Sequence, residues 1–179
     1  IDANGIPQDD LWVGFQDPSN PPEAWQPELV WQQGCTSDSC TNSPRPSARS
    51  HHVWFTSKVD NKAYLFGGEL ADGSYSDELW QLSFTGPHWT WTLVCGGATG
   101  CSGPSGRARV ASFHSGQHIV VFGGQNTNGA LSDTWFLSIA DGEWQQYSCQ
   151  GGACNDQPSA RYSAYATATS DDEEIFHVF

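Results

Sequence analysis

Apolar residues in this chain come in short runs, each stopped by glycine, proline or serine. Between residues 109 and 147 four such runs follow one another, at 109–114, 118–122, 134–139 and 143–147, and each is rich in aromatic or β-branched side chains. Runs of that length and content are strand signals, and no stretch keeps a 3.6-residue apolar period long enough to compete as a helix. The same reading places strands at 50–56, 63–66, 78–84 and 89–94, at 11–15 and 29–33 near the start, and at 162–169 and 174–179 near the end. The spacing predicts an all-β chain built from groups of four antiparallel strands.

The groups repeat. Phe66-Gly67-Gly68, Gly73 and Ser76-Asp77 return 56 residues later as Phe122-Gly123-Gly124, Gly129 and Ser132-Asp133. Pro46-Ser47-Ala48-Arg49 returns as Pro104-Ser105-Gly106-Arg107 and Pro158-Ser159-Ala160-Arg161, and Trp31, Trp91 and Trp144 each stand four or five residues before a cysteine. A period of about 55 residues made of four strands is one supersecondary unit that must stack on its neighbours to bury a core. Paired glycines allow positive φ and close backbone approach, and the tryptophans supply buried area between units.

Phe-Gly-Gly closing a second strand, an aromatic in the third (Leu79-Trp80, Trp135-Phe136) and a Trp opening the fourth resemble the kelch repeat. That resemblance covers nearly the whole chain except 16–28 and implies β-propeller blades of four antiparallel strands. The chain then holds about three kelch-like repeats, approximately 1–68, 69–124 and 125–179, within one propeller domain and short of a closed ring, since propellers typically have four to eight blades. The first residues align with a third strand and the last with a second, so the expected partners of the terminal strands are remaining propeller blades or a second copy of the chain. The family does not fix a function.

The charge balance, 7 Lys+Arg against 20 Asp+Glu, argues against nucleic acid or an anionic membrane face as partner, and no apolar run is long enough for a membrane span. Six cysteines fall into three pairs at one position of the repeat, which predicts local disulfides Cys35–Cys40, Cys95–Cys101 and Cys149–Cys154. Each would contribute about 2 kcal/mol by loop-closure entropy and would place the protein outside the cell, secreted or on the cell surface.

Candidate chemistry is confined to loops. The loops after the second strand and the cysteine loops emerge on one face, where Glu69, Asp72, Tyr75, Gln125, Asn126, Asn128 and Leu131 form the expected binding surface for a protein or glycan partner. The repeated Arg49, Arg107 and Arg161 are expected to tie loops, with Asp77 and Asp133 as acids; a ring of guanidinium groups open to an anion is the other reading. In a strand, adjacent His51 and His52 face opposite ways. His114 and His118 flank a turn and could approach each other, but without a third ligand. No metal, cofactor or catalytic residue is expected. Some secreted kelch-like propellers resemble copper oxidases, but every cysteine here is committed to a repeat loop. Trp25, in the proline-rich insertion 16–28, is expected to pin that loop. The reading is a binding or structural module; the alternative is a carbohydrate- or metal-dependent enzyme completed by blades outside this chain.

Overall fold

The computed structural model describes residues 11–16, 29–35, 44–57, 59–85, 88–97, 99–115, 117–148, 157–168 and 176–178. All regular structure among them is β. A two-stranded sheet comes first, with β1 (Leu11–Gln16) antiparallel to β2 (Leu29–Cys35). The short β3 (Arg49–Ser50) leads into β4 (Val53–Ser57) and β5 (Lys62–Phe66); the two-residue β6 (Glu69–Leu70) pairs back on β3; β7 (Leu79–Thr85) and β8 (His88–Cys95) follow. The sheet order β4-β5-β7-β8 is a simple antiparallel meander. A second meander repeats it, with β9 (Ala111–Ser115), β10 (His118–Phe122), a small β11 (Gln125–Asn126) and β12 (Gly129–Ala130) ladder, β13 (Thr134–Ser138) and β14 (Trp144–Gln146). The pair β15 (Ala166–Ala168) and β16 (Phe176–Val178) opens a third unit in the same antiparallel sense, with β15 beside β9. The two complete sheets are the expected four-stranded blades.

The core lies between blades. Val53, Tyr64, Phe66, Leu79 and Cys95 of the first blade pack with Ile119, Val121, Leu137, Ile139 and Trp144 of the second. Trp144 sits on Phe66 with ring centroids 4.9 Å apart. The opposite face of the first blade gathers Ala63, Leu65, Trp80, Leu82 and Trp91. The first blade is therefore apolar on both faces, and β5 and β10 are buried along nearly their whole length, which is why they read as near-continuous hydrophobic runs rather than alternating ones.

First strands begin later than the sequence suggests. His51, Arg109 and Ser163 hold positive φ (55°, 57° and 54°), so the chain turns before entering β4, β9 and β15. The turn lets Arg109 N–H donate to the His51 carbonyl and Ser163 N–H donate to the Arg109 carbonyl, both at 2.9 Å. Three equivalent residues thus hand a backbone hydrogen bond from blade to blade. His51 lies in that turn, not in a strand. His114 pairs with Ile119, the neighbour of His118 in β10, so the two histidines lie on opposite faces of the sheet and cannot meet.

Candidate functional site

The paired glycines fix the seam on which the loops stand. Gly67 and Gly123 have φ of 69° and 64°, and a Cβ at either would stand 2.5–2.6 Å from the carbonyl oxygen of Arg107 or Arg161 in the next blade. That space is needed because Gly68 N–H donates to the Arg107 carbonyl and Gly124 N–H to the Arg161 carbonyl. Each Arg backbone belongs to the seam with the preceding blade, while the Arg49 and Arg107 side chains clamp their own blades.

Arg107, 1% exposed, donates from Nη1 and Nη2 to the two carboxylate oxygens of Asp133 at 2.6 and 2.8 Å, and from Nη1 to the Gly123 carbonyl at 3.0 Å. Trp135 Nε1 donates to the same Asp133 carboxylate. Arg49 makes the corresponding set with Glu78 (2.6 Å), the Gly67 carbonyl and the Ser76 hydroxyl, and Trp80 Nε1 donates to Glu78. Burial pushes both carboxylates up, but hydrogen bonds from these Trp and Arg donors outweigh it and hold Glu78 and Asp133 below the ordinary range. The structural role expected for the repeated arginines is what the structure shows for these two, with one correction. The acid of the first clamp is Glu78, not Asp77, which instead accepts a hydrogen bond from Gly97 N–H in the cysteine loop. The register explains it. Phe66 pairs with Leu79 and Phe122 with Thr134, so Glu78 and Asp133 are equivalent at an offset of 55, and the repeated Ser-Asp at offset 56 is out of step by one residue.

Among the expected loop residues, three side chains gather at the seam between the two blades, beside two that were not expected there. Gln125 Nε2 donates to Tyr75 Oη at 3.0 Å across it. Tyr75 is bridged by its backbone to Glu69, whose carboxylate lies 3.9 Å from both His51 Nδ1 and Arg109 Nη2. His51 and Arg109 are the residues that sequence reasoning missed; the usable signal was their shared place two residues beyond each Pro-Ser-x-Arg arginine.

Asp72 and Asn126 build the loop tips, each folding back on its own loop. The Asp72 carboxylate accepts from Ser74 N–H and Oγ, and Asn126 Oδ1 accepts from Asn128 N–H. The hydrogen bonds from Ser74 lower the Asp72 pKa. Asn128 is exposed at its tip, and Leu131 is tied through its backbone, its N–H donating to the Gly124 carbonyl and its own carbonyl accepting from Arg161 N–H. Among the described residues no three His, Cys, Asp or Glu side chains converge as a metal cage, and no helix is long and apolar enough to cross a membrane.

The Cys95–Cys101 disulfide is formed, with Cα atoms 5.5 Å apart, and closes the loop beside Asp77 as expected. Cys40, Cys149, Cys154 and Trp25 lie outside the described residues, so the other two bridges and the insertion have no structural account.

Residues 28–179 match the KLHDC2/KLHL20/DRC7 Kelch-repeats domain. Among curated proteins the chain is similar to Multiple epidermal growth factor-like domains protein 8 of Homo sapiens, 35% identical over 125 residues, and to the proteins of that name from Rattus norvegicus and Mus musculus, each 32% identical over 126 residues. These alignments take in 65% of this chain but 4% of each relative, so the chain spans a small part of their length. With the repeated Phe-Gly-Gly turns, the four-stranded sheets and a family match over most of the residues in agreement, the chain belongs to the kelch-repeat family.

Proposed function

We propose that this chain is part of a secreted or cell-surface kelch propeller that binds a protein partner through its loop face. The observation that carries the reading is the polar seam, where Gln125 holds Tyr75 across two blades beside Glu69, His51 and Arg109. Side chains fixed from two rigid sheets offer a contact surface with little ordering entropy left to lose. Around it the loop tips are held by hydrogen bonds of their own, and Asp72 and Asn128 stay exposed there. The extracellular part of the reading is supported by the Cys95–Cys101 disulfide. It is also supported by similarity to proteins named for EGF-like domains, a disulfide-dense domain type of secreted proteins.

The test screens the purified chain against a panel of extracellular protein domains, with a glycan array in parallel, and retests every hit with Tyr75→Ala and Asn128→Ala. Protein hits should weaken about tenfold or more with Tyr75→Ala, while the melting temperature of Asn128→Ala stays unchanged. Protein hits indifferent to both substitutions, or hits among glycans alone, would overturn the reading.

A further inference from the structure

The two loop tips end on nearly the same pair of residues. Asp72-Gly73 stands in the first blade and Asn128-Gly129 in the second, 56 residues on. Asparagine before glycine has a chemistry of its own. The glycine nitrogen can attack the asparagine side-chain carbonyl carbon, because glycine has no Cβ to shield that nitrogen or to restrict the φ of the approach. Among the described residues, Asn128 is the one asparagine that precedes a glycine.

Three observations favour that attack at this tip. Residues 127–130 are all exposed, and a Cβ placed on Gly129 would meet nothing within 4 Å, so a ring has room to form and water has access. The Asn128 side-chain amide makes no hydrogen bond among the described residues; its main-chain N–H is the group in use, donating to Asn126 Oδ1 at 2.8 Å. Gly129 lies in the β11–β12 ladder opposite Asn126, but that ladder is two pairs long, and so short a ladder at a loop tip opens at little cost. The first blade differs at the electrophile. Asp72 accepts from Ser74 Oγ at 2.6 Å and from Ser74 N–H at 2.9 Å, and these bonds hold its carboxyl below the ordinary range. An ionised carboxylate is a poor target for a nitrogen nucleophile, so the first tip keeps its residue.

We propose that Asn128 is a site of spontaneous covalent modification, cyclising with Gly129 and opening to isoaspartate, and that this undoes the β11–β12 ladder. A bond forms between the Gly129 nitrogen and Asn128 Cγ. The Cγ–Nδ2 bond breaks, and the amide leaves as ammonia with the proton from Gly129. Water then opens the succinimide. Cleavage at the former main-chain carbonyl leaves a free carboxylate and a backbone that runs through Cβ and Cγ, one methylene longer; cleavage at Cγ gives aspartate. Neither step changes an oxidation state. An extra methylene between Asn126 and Gly129 spoils the register of a ladder whose pairs are Asn126–Gly129 and Gln125–Ala130. Gln125 is the residue that reaches Tyr75, so chemistry at the tip acts on the seam. The conversion itself does not depend on the binding reading above.

To test it, the folded 179-residue chain is held at pH 6 and at pH 8, beside a portion unfolded in urea, and mapped by peptide mass. The expected result is acid in place of amide at Asn128 in the folded chain, faster at pH 8, with isoaspartate in excess as read by isoaspartyl methyltransferase. Mapping separates this from Asn4-Gly5, the other such pair in the sequence. Gly129→Ala should slow the conversion about tenfold or more, because its Cβ shields the nitrogen and restricts φ. Asn126 and Asp72 should stay unchanged over the same period. In the converted chain, amide hydrogen exchange over 126–130 should quicken, while Leu131 N–H, held by the Gly124 carbonyl at 2.8 Å, keeps its protection. An Asn128 amide that stays intact in the folded chain, aspartate without isoaspartate, an equal rate in Gly129→Ala, or exchange over 126–130 that conversion leaves unchanged would overturn the proposal.

Discussion

The two complete blades solve one problem with different groups. In the second, Arg107 meets Asp133 as a two-pronged pair, each guanidinium nitrogen taking its own carboxylate oxygen. In the first, Arg49 takes only one oxygen of Glu78, and the place of the second is filled by the Ser76 hydroxyl at 2.9 Å. The residue equivalent to Ser76 in the second blade is Leu131, which makes the same backbone bonds and has no hydroxyl. The two blades share their donors and one acceptor but not the other: guanidinium, Trp Nε1 and the glycine carbonyl recur, and the remaining acceptor oxygen comes from a carboxylate or from serine. The clamp is thus a demand for two acceptors near Nη1 and Nη2, which more than one residue pair can meet.

The largest effect expected from breaking this comparison is loss of an arginine. Both guanidinium groups are nearly sealed from solvent, while their acids keep about a quarter of their side-chain surface exposed. Removing Arg107 leaves a partly buried carboxylate and a carbonyl without their donor. Arg107→Ala should cost about 3 kcal/mol, at the low end for a buried pair because Asp133 can recover some water. Arg49→Ala should cost less, since Ser76 and Glu78 can still bond each other, at 3.3 Å here. Urea denaturation of both variants decides the order, and equal losses would show that the bidentate geometry carries no extra weight.

Acid should strip the same interactions next. Both acids have lowered pKa values in the folded state. Their contribution is therefore fully present above the ordinary carboxylate range, near pH 4, and is lost as pH falls through the lowered folded values. Stability measured from pH 7 to pH 2 should drop on that limb, and the drop should be shallower in Arg107→Ala, which has one coupled carboxylate fewer. A limb of unchanged slope in that variant would remove Asp133 from the account.

How far the sequence could see this depends on which residues spoke. Gly67-Gly68, Gly123-Gly124 and the fourth-strand tryptophans mark blade edges by type alone, because no other residue fits the positive φ and close approach at Gly67 or fills the seat of Trp144; the blade architecture follows from them. The turn at His51, Arg109 and Ser163 is as regular in space, but three unlike residues adopt it, so nothing in composition announces it. The loop after β5 is one residue longer up to its acid than the repeated Ser-Asp implies, and that chance Ser-Asp in both loops pointed to Asp77 in place of Glu78. The Tyr75–Gln125 contact joins residues 50 apart in different blades, and only the stacking of sheets brings them together.

A carboxylate exchange sharpens the comparison further. Glu in place of Asp133 would push one oxygen past Nη1, and Leu131 offers nothing to replace it. Asp133→Glu should therefore cost about 1.5–2 kcal/mol, the value of a hydrogen bond to a charged donor. Adding Leu131→Ser supplies the hydroxyl of the first blade and should return part of that loss. The coupling between the two substitutions, read from a double-mutant cycle, should be favourable by more than about 0.5 kcal/mol. Strict additivity would mean that the serine hydroxyl does not substitute for carboxylate oxygen.

The smallest effect is the mirror experiment. Ser76→Ala removes the hydroxyl from Arg49 Nη1, which keeps the Gly67 carbonyl at 3.1 Å. One of two acceptors survives, so the cost should be about 1 kcal/mol. Ser76 also accepts from the Glu78 backbone N–H, and water can take that donor because Glu78 is only half-buried. Glu78→Asp alone should change stability by no more than about 0.5 kcal/mol, since aspartate at this register already serves in the second blade. With Ser76→Ala in place, however, Glu78→Asp should become stabilising, because the two oxygens of the shorter acid can then take both guanidinium nitrogens as Asp133 does. Thermal melts of the four proteins settle it: if Glu78→Asp is no more favourable in the Ser76→Ala background than in the parent, the two clamps are not interchangeable solutions and the resemblance between them ends at the arginine.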